Sequence, residues 1–220
     1  MIEIGISPEI RALCPKMVLG CIECDVQVAD SPATLLAEID AACAALAGSL
    51  TVEDIHRNLP IHDTREAYKA LGKEPSRYRP SAEALTRRVL QGKGLYRVNN
   101  VVDLLNKVSF TTGFSIGGWD ADRIQGKAVL GIGRADEPYL TIGRGEMNIE
   151  FFPVFRDDAG AFGTPTSDSE RTMVRPETCR FLMVFYAFGG ESALQPAIEE
   201  SVRLLREFGG ATQFEIKIIS

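Results

Sequence analysis

Hydrophobic positions along the chain follow first a strand-like spacing, then a helical one, then a strand-like one again. Closely spaced apolar residues over 3–7 and 17–28 predict a short strand and a longer one. At Ser31-Pro32 a hydroxyl residue precedes proline, a helix-start signal, and the helical pattern runs to about Ala47 before Gly48 ends it. Thr51 with Asp54 predicts the cap of a short helix. Asp63, with Glu66 three residues on, predicts the start of another that ends at Gly72. A connector with two prolines covers 73–80. The helix expected over 81–90 places Ala82, Leu85 and Val89 on one face and Arg87 opposite. A further helix over 98–111 turns Val98, Val101, Val102, Leu105 and Val108 inward.

Beyond Gly113 the apolar runs shorten. Strands are predicted over 127–132, 139–142, 147–152 and 181–188, separated by glycines and turn residues. An amphipathic helix over 195–208 stops at Gly209-Gly210, and 213–219 closes as a strand. The stretch 157–172 reads as a long loop, a length that often signals function or mobility. An α/β first half before a β-rich second half predicts an α+β fold. No long polar linker interrupts 1–220, so a single domain is expected.

Composition narrows the class. Apolar residues make up 45% and charged residues 25%, an ordinary globular mix whose core needs no disulfide or metal staple. Apolar runs are too short for a membrane span, and the acidic start Met1-Ile2-Glu3-Ile4 is unlike a signal peptide, so a cytoplasmic protein is expected. Five cysteines show no disulfide framework; Cys21-x-x-Cys24 lies in a predicted strand, where positions three apart face opposite ways, so no metal site is expected. The net charge of −6 is unevenly spread. Nine cations against three acids between Arg65 and Arg97 give that segment +6, leaving −12 for the rest. Such asymmetry suits a polyanion or a solvated helical surface. Arg65, Lys69, Lys73, Arg77, Arg79, Arg87, Arg88 and Lys93 are the candidate phosphate contacts, with Tyr68, Tyr78 and Tyr96 as candidate stacking platforms.

Two groups of residues can carry chemistry. Asn99, Asp103 and Asn106 form a polar stripe on the helix over 98–111, suited to a small polar ligand or a buried hydrogen-bond network. Asp168, Ser169, Glu170 and Thr172 offer hydroxyls and carboxylates that can order a water or act as a general base. The two histidines, His56 and His62, lack zinc spacing; His62 beside Asp63 is an oriented base or a structural residue. Gly131-Ile132-Gly133 lacks the third glycine of a dinucleotide fingerprint, there is no phosphate-loop motif, and no cofactor is expected.

The segment Arg97-Val98-Asn99-Asn100-Val101-Val102-Asp103-Leu104-Leu105-Asn106 and the turn Gly113-Phe114-Ser115-Ile116-Gly117-Gly118-Trp119-Asp120 resemble the B-three/B-four, tRNA-editing domain of the phenylalanyl-tRNA synthetase beta chain. Ser169-Glu170-Arg171-Thr172 resembles its acidic loop more loosely, and 63–94 is similar to free-standing relatives of that domain. The resemblance implies a three-layer α+β domain with a β-sandwich of unusual topology. It also implies a pocket where the helix, the turn and the loop meet, built from Asn99, Asp103, Asn106, Gly117, Gly118, Ser169 and Thr172. Asn106 matches a pocket asparagine of the family, and Glu170 an acidic residue that recognises a mischarged tyrosine; Glu170 or Asp168 is then the candidate catalytic group. Gly117 stands where the family carries a histidine that orders the hydrolytic water. The implied functions are trans-editing hydrolysis of a mischarged aminoacyl-tRNA, non-catalytic RNA binding, or binding of an amino-acid-like metabolite. The partner is expected to be tRNA rather than DNA or a membrane.

Overall fold

The computed structural model describes all 220 residues. Its centre is a four-stranded sheet in the order β10-β2-β9-β3, formed by β2 (Val18–Asp25), β3 (Ile116–Asp120), β9 (Arg180–Ala187) and β10 (Thr212–Ile219), all antiparallel. A second sheet, β1-β4-β7-β8, joins β1 (Ile4–Ile6), β4 (Ala128–Ile132), β7 (Pro153–Asp157) and β8 (Gly160–Gly163), with β1 parallel to β4. A two-stranded ribbon, β5 (Leu140–Thr141) with β6 (Gly145–Glu146), lies apart. The helices are α1 (Pro8–Leu13), α2 (Ala33–Ser49), α3 (Leu59–Ala70), α4 (Ser81–Leu90), α5 (Asn100–Thr112) and α6 (Leu194–Phe208).

Alternation along the central strands builds three layers. Ile22, Cys24, Phe181, Met183 and Phe185 face one way and pack with residues of α2, α4, α5 and α6. Leu19, Cys21, Leu182, Val184 and Tyr186 face the other way and meet Leu130, Phe155 and Phe162 of the second sheet. The layers are therefore helices, sheet and sheet, the α+β sandwich expected. Cys21 and Cys24 do point to opposite faces, and burial pushes both thiols up to about 12. No helix is long and apolar enough to cross a membrane.

Several local expectations are corrected. Helix α3 begins at Leu59 because Asn58 is the cap, its Oδ1 accepting from Ile61 N at 3.2 Å with Pro60 in the first turn; Asp63 lies inside the helix. Residues 147–152 form no strand. Phe151 holds φ at +65° and breaks the extended run, which resumes at Pro153. The stretch 157–172 contains strand β8 and a 3-10 turn at Glu170–Thr172, so it is not an open loop. The short elements α1 and β3 carry too little periodic signal to be predicted.

Candidate nucleic-acid interface

Helix α4 presents the candidate surface. Its apolar face, Ala82, Leu85 and Val89, is buried, which turns Arg87 and Arg88 outward. The turn before α4 supplies Arg77 and Arg79, and the stretch after it supplies Lys93 and Tyr96. Across from them stand Ile142, Arg144 and Met147 of the ribbon region, with Thr166 and Ser167. Together they enclose a cleft of about 570 Å³, with Asn106 of α5 in its wall. Six cations line it (Arg77, Arg79, Arg87, Arg88, Lys93 and Arg144) and no carboxylate does. Two aromatic rings border it under arginines. Arg88 lies 4.0 Å from the Tyr96 ring centre and Arg77 5.2 Å from that of Tyr78, and Tyr96 is exposed. A guanidinium held over an exposed phenol ring, as at Arg88 and Tyr96, is a platform on which a base can lie.

Two of these cations, Arg87 and Arg79, stand over Glu83, which is almost fully buried behind them. It accepts from Arg65 at 2.7 Å and Arg87 at 2.9 Å, with Arg79 3.8 Å away. Three arginines on one carboxylate leave a positive surplus, and that surplus faces outward. A neighbouring polar pocket of about 390 Å³ is lined by His56, Arg65, Glu83 and Arg87.

The remaining basic residues do other work. Lys73 is buried, bonds the carbonyls of Glu150 at 2.7 Å and Asn148 at 3.4 Å, and sits 4.3 Å over the Tyr78 and Phe152 rings. Burial lowers its pKa. Lys69 pairs with Glu66 on the exposed face of α3, away from the cleft. Tyr68, expected to stack on bases, is fully buried with its hydroxyl 2.8 Å from Thr166 Oγ1. Arg144 was not among the candidates; a lone arginine in a turn carries no pattern until the fold sets it opposite α4.

Of the seven residues expected to bind substrate, only Asn106 lines the cleft. Asn99 is the N-cap of α5 and accepts from Val102 N at 2.9 Å. Asp103 is buried and accepts from Ser31 Oγ at 2.7 Å and Val98 N at 2.9 Å. Ser169 is buried as the cap of the 3-10 turn, and Thr172 is fully buried within it. Gly117 and Gly118 do not widen a pocket. A Cβ on Gly117 would lie 2.2 Å from the Trp119 indole, and one on Gly118 would lie 2.4 Å from Leu105. Gly163 is held to glycine by the same indole, at 2.3 Å. The ring of Trp119 thus fills the space that two absent side chains leave. Neither histidine lines the cleft: His62 is half-exposed beside Asp63, 3.4 Å away, and His56 lies in the adjacent polar pocket.

The acidic candidates stand behind the cleft wall. Asp168 follows Ser167 directly, and its carboxylate turns inward: Oδ2 lies 3.5 Å from Gly118 N, and Oδ1 is shut off from solvent without a hydrogen-bond partner. Burial lifts this carboxyl to about 7, against the pull of the Trp119 indole N–H and the Gly118 N–H. The Tyr186 hydroxyl, also buried and unpartnered, is pushed up by its burial and by Asp168. Glu170 does not line the cleft; its Oε1 accepts from Gly143 N at 3.4 Å, in the turn between Ile142 and Arg144. A larger cavity of about 800 Å³ lies elsewhere, among α1, α3 and the turn after β9, and none of the candidate residues borders it.

Comparisons agree with this architecture. The chain matches the fold of an N-terminal fragment of the phenylalanyl-tRNA synthetase beta-subunit from Pyrococcus horikoshii, with a TM-score of 0.53 and 14% identity over 99% of this chain. It spans 50% of that fragment. No curated protein matches. The sequence profile of the B3/4 domain matches residues 63–208, which hold the cleft, strand β3 with Gly117 and Trp119, and Asp168. The chain belongs to the B3/4 domain family.

Proposed function

We propose that this protein binds tRNA, with an unpaired stretch of the RNA lying in the cleft beside α4. One observation carries the reading: six cations and no carboxylate line the cleft of a molecule whose net charge is −6. Phosphates sit against Arg77, Arg79, Arg87, Lys93 and Arg144, and a base stacks over Tyr96 and Arg88. The likeness in fold to a phenylalanyl-tRNA synthetase fragment supports tRNA as the RNA. Binding of unmodified tRNA measured across a salt series tests it. Each single-strand phosphate contact contributes about −0.7 to the slope of log affinity against log salt. A slope of about −3.5 is expected from the five contacts. An affinity flat between low and moderate salt would remove the proposal.

A second reading, trans-editing, rests on Asp168. Burial raises this carboxyl to about 7, so it changes protonation state near neutral pH; to serve hydrolysis of a mischarged aminoacyl ester it must first turn from its buried place behind the wall into the cleft. The Trp119 indole and the lack of an imidazole in the cleft weigh against a hydrolytic water ordered as in the family's editing enzymes. Release of amino acid from a panel of mischarged tRNAs, with wild type and Asp168→Asn, decides between the readings. Turnover by the wild type that Asp168→Asn abolishes supports editing; no turnover at enzyme in excess over substrate leaves the binding reading alone.

A further inference from the structure

We propose that two copies of this chain join through the free edge of β10, making one continuous eight-stranded sheet. Strand β10 is the outer strand of the central sheet, paired to β2 on one side only. It is eight residues long and largely exposed, with Ile216 at 46% and Ile218 at 42%. A free edge of this length with exposed isoleucines is a template for another strand unless something blocks it.

Lysine is a common block on edge strands, and Lys217 has no ion-pair or hydrogen-bond partner within the chain. Its setting favours pairing instead. In an antiparallel pair of β10 strands with Ile216 opposite itself, Phe214 meets Ile218 and Glu215 meets Lys217. The two-fold axis repeats each contact, so both lysines are neutralised by the glutamate of the other copy. Within one copy Glu215 has only the Met1 ammonium, 2.9 Å away, and Glu215 itself remains exposed. Phe214, Ile216 and Ile218 then lie together on the helix side, because alternate residues share a face. The bulge at Gln213, where φ is +53°, ends the flat stretch.

Helix α6 extends the same complementarity. Ile198, Val202 and Ile216 line a groove of about 600 Å³ between α6 and β10. On its rim Glu199 bonds only Gln195, and Arg206 only covers the Phe214 ring, 5.0 Å from its centre. The two-fold axis that joins the strands sets the two α6 helices antiparallel, Glu199 of one copy toward Arg206 of the other. Opposite charges thus meet on both faces of the sheet, Glu215 with Lys217 on one and Glu199 with Arg206 beside the apolar seam on the other, the pattern of an isologous interface.

Analytical ultracentrifugation of the full chain tests this. The wild type is expected to dimerise in a concentration-dependent way. Lys217→Glu alone and Glu215→Lys alone each set like charges opposite one another and raise the dissociation constant about tenfold or more. Mixed in equal amounts, the two variants pair every new lysine with a new glutamate and recover the dimer as a heterodimer. Circular dichroism melts check that each variant is folded. A monomeric wild type at the highest soluble concentration overturns the proposal, as does a dimer that neither variant weakens or a mixture that recovers nothing. Should either variant fail to fold, Glu199→Arg and Arg206→Glu are mixed in the same design, with the same outcomes deciding.

Discussion

At the scale of single residues, Trp119 sets the character of the second core. Its indole contacts Phe155 and Phe162 edge-on and occupies the volume above Gly117 and Gly163. Gly117→Ala is expected to destabilise by about 1–3 kcal/mol, the usual penalty of overpacking, and a smaller ring in Trp119→Phe should recover part of it in the double variant. Urea melts of the three proteins measure this. Asp168 gives the second residue-scale expectation. Its folded pKa, about 7, lies above its unfolded value near 3.8, so the folded state holds the proton more tightly. Stability is therefore full below the lower value, falls as pH rises through the window, and levels off above about 7. Each pH unit within the window costs up to about 1.4 kcal/mol. Asp168→Asn removes the titration, so its melting temperature should change less than the wild type's between pH 4 and 7 and exceed it at pH 8. Equal pH profiles for the two proteins would show that this carboxyl titrates normally.

At the scale of elements, α5 shows how a polar sequence pattern divides once the chain folds. Asn99, Asp103 and Asn106 share a stripe in sequence, yet Asn99 caps the helix, Asp103 anchors Ser31, and only Asn106 meets a cavity. The strongest polar anchor is the asparagine between them. Asn100 is buried, accepts from Ala29 N at 2.9 Å, and donates to Gln27 O at 2.9 Å and Phe208 O at 2.7 Å. It thereby ties the start of α5 to the end of β2's extension and the end of α6. Asn100→Ala strands several buried backbone groups, each costing about 1–3 kcal/mol, and is expected to lower the urea midpoint more than Asn106→Ala does. The elements themselves were legible where the period was long. The predicted helices over 81–90 and 195–208 and the strand over 181–188 each fall within one residue of the observed bounds. Asp63 with Glu66 imitates a cap in the sequence, whereas the fold places the cap at Asn58, with Pro60 in the first turn that suits it.

At the scale of the molecule, an acidic chain gathers its positive charge on one flank. Arg77, Arg79, Arg87, Arg88 and Lys93 come from one stretch of sequence, and Arg144 joins them across the cleft. Neutralising Arg77 and Lys93 together should lower the salt slope of tRNA binding by about 1.4 if each meets a phosphate. These side chains face outward, so stability should change by less than about 1 kcal/mol. Removing Glu83 has the opposite balance. Glu83→Gln takes the buried partner from Arg65 and Arg87, costing about 1–3 kcal/mol of stability, and steepens the salt dependence by adding net charge beside the cleft. Filter binding and thermal melts of the same variants separate the two effects.

What the sequence determined alone is what local physics dictates: the α+β class, the long helices, the inward faces and the basic segment around α4. Periodicity and charge density are properties of neighbouring residues, so they survive without a structure. The tertiary structure decided which polar side chains face a cavity and which are spent holding backbone. It buried Lys73 and Tyr68, turned Asp168 inward, brought Arg144 opposite α4 and laid Trp119 across Gly117. Each of these outcomes depends on contacts between residues far apart in the chain, and no local pattern encodes them.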